Sequence, residues 1–580
     1  MKHKRPGILA VRAVNQYRRR DVLSYLALRY YLHSDAARTD QWARQVASNL
    51  VLTRTDLPYL HVHHFKDLSD GSKVDHRVMF LPSANEALAE AALLDECTKH
   101  PAFSNHACVF SYPLSSGQDR AGLFPHYSVG LRARHDAIAR ACDDFPDGVV
   151  RYIDIKRFYP SISPALALAA WTAAAEAAGL ERRWRILGEK LIDDHGKLAT
   201  GLNPSILTGP MFSHLIGNLV LRRLDDDLTG SLPARYFRYV DDITLVGSAK
   251  AVADSIKIIR SSLGDLGLNI HDDCSPKSME LPSKEWIAGR NDFRQSRREI
   301  SWMTLIGNLK RFLLANPESH SQLHETFRSE GFRIPVRDYS SAIYERSYLE
   351  SIKLWASRRW FRRKLGEVSI DSLLHQARWL RGSYETEFKE LCDGLSKVSA
   401  FERKRRIPKL RYRAGRLNYL ATDDALTSIA AMAEMLPELH LQSLVMSATA
   451  SGNIDRILSL GTNAAQAAAQ PMRASGNPAT CSLTTLTEAE QQALAVIGLN
   501  GVTLQSAGVN LASKSELLEF AEAGSSVRLM KSGNTFIREI ACLHGIVRSP
   551  RHPEMLESVF DEDEDFAIDA VDQLQQSLSP

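Results

Sequence analysis

The chain has 580 residues, 44% of them hydrophobic and 24% charged, with a formal net charge of +4 at pH 7. That balance excludes a collagenous or wholly disordered chain and allows about two to four globular domains. Seven cysteines lie far apart with no C-x-x-C pair, which argues against a disulfide framework or a cysteine zinc site and fits a reducing compartment. No apolar signal segment follows the basic start (Lys2, Lys4, Arg5), and no run approaches the ~20 apolar residues of a membrane span. The chain is therefore expected to be soluble and cytoplasmic. Its acidic stretch Asp561–Asp565 masks a more basic remainder, with clusters at Arg18–Arg20, Arg358–Lys364 and Arg403–Arg416.

Residues 1–60 read as a helical extension, with Asp21–Leu32 placing apolar and polar residues at helical spacing. Residues 61–148 mix β-prone runs such as Asp75–Leu81 with helices such as Ala84–Cys97, Pro82 and Ser83 supplying a break and an N-cap between them. Val149–Asp154 predicts a strand. Ser163–Ala178 predicts an Ala-rich helix with Ser163 as N-cap and Pro164 at the first position. Met211–Leu228 is a further helix, Tyr236–Val246 two short strands joined at Asp241-Asp242, and Ala251–Leu266 a helix ended by Leu268–Ile270. These elements define a unit at 149–300.

Beyond about residue 310 the β signal nearly vanishes, and amphipathic helices without a clean repeat fill 301–447. Residues 448–480, with the low-complexity run Asn463–Gln470, are expected to contain a linker. A small helical segment at 481–560 and a disordered acidic tail at 561–580 complete the reading.

The informative chemistry lies in 149–300. An Asp-Asp pair between two apolar runs is usually a polar turn. Here Asp154 closes a neighbouring strand, so three carboxylates could meet at one sheet end. Magnesium prefers such oxygens, and two divalent cations held about 3.5–4 Å apart are what nucleotidyl transfer requires.

Three blocks in order carry a family resemblance. Asp154-Ile-Lys-Arg-Phe-Tyr-Pro-Ser-Ile162 resembles motif A of reverse transcriptases. Gly209-Pro-Met-Phe-Ser-His-Leu-Ile-Gly-Asn218-Leu-Val-Leu221, followed by Asp225, resembles motif B in its bacterial form. Tyr239-Val-Asp-Asp242 is similar to motif C, and Leu266–Ile270 followed by Lys277 resembles motif D. The resemblance implies an α+β right-hand polymerase, with fingers at 61–148 and palm at 149–300, followed by an all-α helical region at 301–447 that replaces the thumb. It implies RNA-directed DNA synthesis from deoxynucleotides, with Asp154, Asp241, Asp242 and the Ile155 backbone carbonyl holding two Mg2+ ions, or Mn2+ in their place. It makes Tyr159 the ring beneath the incoming sugar, one that excludes a ribose 2′-hydroxyl. Arg77, ahead of Phe80-Leu-Pro82 and the best candidate beside Lys66 and Lys73, would hold the triphosphate, and Ser213 would lie at the nucleotide. Gly209 and Asn218 would lie at the nucleic acid. Lys277 is either a proton donor to the triphosphate or a solvated loop lysine. Upstream of motif B the chain has Leu207-Thr208-Gly209 where the family usually has P-[IQ]-G, which leaves the template contact open.

No retron V-T-G signature, H-N-H nuclease region or RNase H module follows the palm. What remains resembles the bacterial abortive-infection, defence-associated reverse transcriptases, with Lys404–Leu420 similar to their basic helical block. That implies antiphage defence with a noncoding RNA or RNA template, a DNA product, no membrane, and either self-association or a defence partner protein; some relatives prime on a protein hydroxyl and synthesise without a template. Arg411, Arg413 and Arg416 alternate there with Tyr412 and Tyr419, a pattern that binds phosphates and stacks bases, or else packs a helix face. Arg538 and His544 match the spacing of a helical RNase signature, which chance also produces. The His61, His63, His64 cluster reads as ordinary loop chemistry. The rival readings are an RNA polymerase on the same palm, and a helical RNase or RNA-binding scaffold with a degenerate palm.

Overall fold

The computed structural model describes residues 8–547 apart from 18–20, 35–38, 70–72, 115–121, 126, 200–202, 274, 276, 289–301, 335–367 and 507–513. The basic clusters Arg18–Arg20 and Arg358–Lys364 and the acidic stretch 561–580 lie outside the described residues. The described chain mixes helix and strand, with small sheets beside a large helical region.

The N-terminal helices are α1 (Ile8–Tyr17) and α2 (Val22–His33). Asp21 caps α2 by accepting the Leu23 N–H at 2.8 Å. Residues Val22 to Leu28 are all buried, so this helix has no solvent face there. The C-terminal part of the chain covers it: Gln466 Oε1 accepts the Val22 N–H, and the His544 ring packs edge-on against Tyr30.

A long antiparallel hairpin follows, β1 (Tyr59–Ser69) and β2 (Lys73–Pro82), and then α3 (Ala84–Cys97) and α4 (Tyr127–Asp144). The next unit runs β3 (Val149–Asp154), α5 (Pro164–Ala177), α6 (Arg182–Leu198), α7 (Met211–Ser231), β4 (Arg235–Tyr239), β5 (Asp242–Gly247), α8 (Ala249–Asp265) and β6 (Met279–Pro282). Its four strands form an antiparallel sheet in the order β4-β5-β3-β6. Side chains alternate between its faces. Ile153, Ile243 and Leu245 join the main core with Val252, Ile259 and Leu263 of α8, while Val150, Val246 and Leu281 pack on Ile138 and Cys142 of α4.

Helices α9 (Trp302–Ala315), α10 (Ile370–Asp393), α11 (Ala400–Leu420), α12 (Asp423–Glu434) and α13 (His440–Ser451) share a second core around Leu305, Leu373, Phe388, Leu410, Leu417 and Ile429. Beyond them come α14 (Thr462–Ser475), β7 (Ala479–Cys481), α15 (Glu488–Leu499), β8 (Leu504–Ser506), α16 (Glu516–Ala523) and α17 (Thr535–Ile546).

Here the sequence reading needs correction twice. The stretch 448–480 is no linker: α14 spans the whole of its low-complexity run, and Ala464, Ala465, Ala468 and Ala469 are fully buried in the main core. Alanine-rich composition lowers apparent complexity, yet small side chains are what let a helix approach its neighbours closely. The segment after it also carries a parallel strand pair, β7 and β8, joined through α15.

Candidate active site

Asp154, the last residue of β3, lies directly opposite Asp242, the first residue of β5, and Asp241 occupies the turn before it. The two strands are tied at this end by the Ile155 N–H donating to the Asp241 carbonyl at 3.1 Å. The turn is unusual: Val240 has φ +57°, a left-handed backbone that a β-branched residue seldom adopts. Its surroundings hold it there. The Ser111 hydroxyl accepts the Val240 N–H, and Arg238 Nη1 donates to the Val240 carbonyl, both at 2.9 Å. Arg238 is itself fully buried and grips Asp225 with two bonds, Nε to Oδ1 at 2.8 Å and Nη2 to Oδ2 at 2.5 Å. Tyr236 donates to the same carboxylate, and Arg238 Nη1 also reaches Asn218 Oδ1 at 3.3 Å. A bidentate, charge-assisted pair of this kind fixes orientation as well as adding energy. It forms the rigid backing of the acidic turn.

Electrostatically the acidic cluster is short of positive charge. Burial, then the carboxylates of Asp242 and Asp154, push the Asp241 carboxyl up to about 6. Burial also raises Asp242, against the pull of Arg134, whose Nη1 lies 3.8 Å from Asp242 Oδ2. Lys277 Nζ sits 2.8 Å from Asp154 Oδ2, and His271 Nε2 lies 3.2 Å from the same oxygen. Among the described residues, no three His, Cys, Asp or Glu side chains converge closely enough to close round an ion as they stand. The donor set nonetheless suits a hard divalent cation: three carboxylates at one sheet end, two of them raised first by burial and then by neighbouring carboxylates, with a lysine ammonium supplying the positive charge that a cation would otherwise provide.

The other residues singled out from the sequence fall into three groups. Tyr159 stands close to motif B: its hydroxyl and His214 Nδ1 are 2.6 Å apart, and His214 stacks on Tyr112 with ring centroids 3.7 Å apart. Arg77 is exposed on β2 opposite His64, while Lys66 pairs with Asp75 on the same hairpin.

A second group serves the protein's own framework. Ser213 is fully buried with its hydroxyl donating to the Leu207 carbonyl at 2.7 Å, which closes the turn before α7. The Asn218 amide donates to Asn105 Oδ1 and to the Ser111 carbonyl, tying α7 to the loop that supports Val240. Gly209 has φ +127°, and a Cβ there would stand 2.4 Å from the Phe80 carbonyl oxygen. Glycine at this position lets β2 seat on the motif B turn, where Phe80 donates its N–H to the Thr208 carbonyl.

The third group is committed elsewhere. Arg413 pairs with Glu387 at 2.6 Å and lies over Tyr384, Arg411 donates to the Glu438 carbonyl, and Arg416 lies over Trp302 and Tyr412. Arg538 pairs with Asp56, whereas His544 packs among Ser525, Tyr30 and Phe520. Six residues apart on one helix, these two project about 120° from each other and engage different partners. His61, His63 and His76 have neighbouring rings on one face of the hairpin, and His64 approaches Asp21 at 3.5 Å.

Sequence reasoning missed Arg134, Arg238 and His214. Arg238 left a signal, a charge inside an apolar strand run with an acidic residue upstream; the other two pair across long sequence distances that no local pattern reveals. A cavity of about 180 Å³ beside Tyr239, lined by Val109, Tyr112, Pro125, Tyr127 and Gly130 among others, flanks the turn.

No known family model matches the chain, and no curated protein matches it. Among solved structures, apo telomerase from Candida tropicalis aligns with 44% of this chain at 11% identity and a TM-score of 0.25. The chain spans about half, 51%, of that one, and the likeness is too slight to argue from.

Proposed function

We propose that this chain is a nucleotidyl-transferring polymerase of the reverse-transcriptase kind, an RNA-directed DNA polymerase of bacterial antiphage defence. The observation that carries the polymerase reading is the register of the sheet: Asp154 opposite Asp242, with Asp241 on a turn held in a left-handed conformation by buried polar groups. A plain surface turn needs no such backing, and strain of this kind gathers at functional sites. Asp154, Asp241, Asp242 and the Ile155 carbonyl are the groups that would hold two Mg2+ or Mn2+ ions, which when bound acidify the attacking hydroxyl and stabilise the leaving pyrophosphate.

The chain's own residues orient the reactants. Lys277 balances Asp154, Arg134 pairs with Asp242, and Arg77, exposed on the hairpin, is assigned to the triphosphate. Tyr159, fixed through His214 and Tyr112, supplies the ring that excludes a ribose 2′-hydroxyl. The partners in this reading are an RNA template or noncoding RNA, deoxynucleotides, the DNA product, and a second copy or companion defence protein, all in the cytoplasm. The defence role rests on the sequence resemblance of the basic block Lys404–Leu420.

The test is to incubate the protein, purified with its bound nucleic acid, with magnesium and each labelled dNTP or rNTP, and to sequence the products. DNA from the wild type alone, beside an Asp241→Ala control, supports the reading. RNA products would move it to a ribonucleotide polymerase on the same palm, and no product would favour an RNA-binding scaffold.

A further inference from the structure

Among the described residues, strand β1 pairs only with β2, along one edge. An unpaired edge exposes backbone groups at every second residue and is normally covered or blunted. Here the cover is made of side chains from the C-terminal part of the chain, placed at successive outward positions. Gln492 Nε2 donates to the His61 carbonyl at 3.0 Å, and the Thr462 hydroxyl donates to the His63 carbonyl at 3.4 Å. Asn463 takes both groups of Phe65: its Oδ1 accepts the Phe65 N–H at 2.8 Å and its Nδ2 donates to the Phe65 carbonyl at 3.2 Å. One amide side chain thus reproduces the two bonds that a third strand would make.

The fit is close. A Cβ on Gly461 would stand 2.1 Å from the His63 carbonyl oxygen, and His76 of β2 meets the Ser459 carbonyl at 3.0 Å. At its other end the hairpin seats on the motif B turn through Phe80, Thr208 and Gly209.

We infer that 459–492 is a clamp on the fingers hairpin, and that Asn463 is a positioning residue which sets how tightly the incoming nucleotide is held. This rests on the polymerase reading, in which Arg77 on the same hairpin, opposite His64, meets the triphosphate. Asn463 touches no reacting atom, so its removal changes where the hairpin stands and leaves the carboxylate set in place. The effect falls on nucleotide affinity, with turnover preserved.

The experiment compares wild-type protein with Asn463→Ala, Asn463→Asp and Gln492→Ala. It reads backbone hydrogen exchange along 59–82 and 149–154, together with KM and kcat for deoxynucleotide incorporation. Asn463→Asp keeps an acceptor for the Phe65 N–H and loses the donor, so it tests the clamp with little change in volume. For Asn463→Ala we expect exchange at His63–Phe65 and nucleotide KM both to rise roughly tenfold, the loss of two backbone-directed bonds, with kcat within about twofold. Asn463→Asp and Gln492→Ala should fall between, and exchange in 149–154 should not change. Unchanged hairpin exchange, faster exchange throughout both segments, or a fall in kcat at constant KM would each overturn the inference. If the wild type incorporates no nucleotide, the polymerase reading fails and the KM clause with it, while the exchange comparison still decides whether the clamp exists.

Discussion

Arg238→Met isolates the backing of the acidic turn. The substitution leaves Asp225, 1% exposed, as a buried carboxylate stripped of its two guanidinium bonds, with only the Tyr236 hydroxyl still donating among the contacts described above. Removing one partner of a buried ion pair costs about 3–5 kcal/mol, because the other charge stays uncompensated. At about 2–4 °C per kcal/mol for a unit the size of 149–300, the melting transition should fall by roughly 6–20 °C. The double variant Arg238→Met/Asp225→Leu removes both charges and should recover most of that loss. Activity should not recover with it: Val240 at φ +57° loses its bond from Arg238 in both variants, so the Asp241-Asp242 turn is free to relax. Scanning calorimetry with nucleotide incorporation on the same preparations separates the two effects. A single variant destabilised by less than about 1 kcal/mol, or a stable double variant with full activity, would refute the account of the turn.

Other expectations follow from neighbouring contacts. Gly209→Ala must fit a Cβ 2.4 Å from the Phe80 carbonyl at φ +127°, so melting should show a loss of about 1–3 kcal/mol and kinetics a raised nucleotide KM. Tyr159→Ala should let ribonucleotides in, read as at least a roughly tenfold fall in the dNTP-over-rNTP preference under direct competition. His195 is fully buried, and burial alone pushes its imidazole down to about 3. The unfolded chain takes up that proton near pH 6.5 while the folded one does not, so stability is fully present above pH 6.5 and is lost as pH falls toward 3, by about 2 kcal/mol at pH 5. Urea midpoints should show this slope in the wild type and a flatter one in His195→Phe.

Much of the stretch 84–247 was legible because its elements obey local rules. Helix α3 occupies Ala84–Cys97 as expected, Ser163 caps α5 by accepting the Leu166 N–H, and Tyr236–Val246 forms two strands meeting at the acidic pair. Strand β6, only four residues long, has too little sequence to show a period, and it exists because β3 offers an edge. Strand β1 was obscured by its half-buried histidines: His64 faces Asp21 of the N-terminal part, and the His61 and His63 carbonyls are met by Gln492 and Thr462 of the C-terminal part. The same long-range packing hid the role of 448–480, and the Asn218 bonds to Asn105 and Ser111, 113 and 107 residues away, are likewise beyond any local pattern. Local pattern marks where the carboxylates lie. What holds them is set by pairs such as Arg238–Asp225, and what steadies the hairpin by contacts nearly 400 residues apart in sequence, Phe65 to Asn463 among them.

The central claim is that Asp154, Asp241 and Asp242 act together as a carboxylate set for nucleotidyl transfer. The most direct measurement is magnesium-dependent incorporation by wild-type protein beside Asp154→Asn, Asp241→Asn and Asp242→Asn, with circular dichroism confirming that each variant is folded. We expect incorporation by the wild type and a loss of at least roughly a thousandfold in each variant, since removing an electrostatic group at a reacting centre costs on that order. Folded variants that retain wild-type incorporation would contradict it.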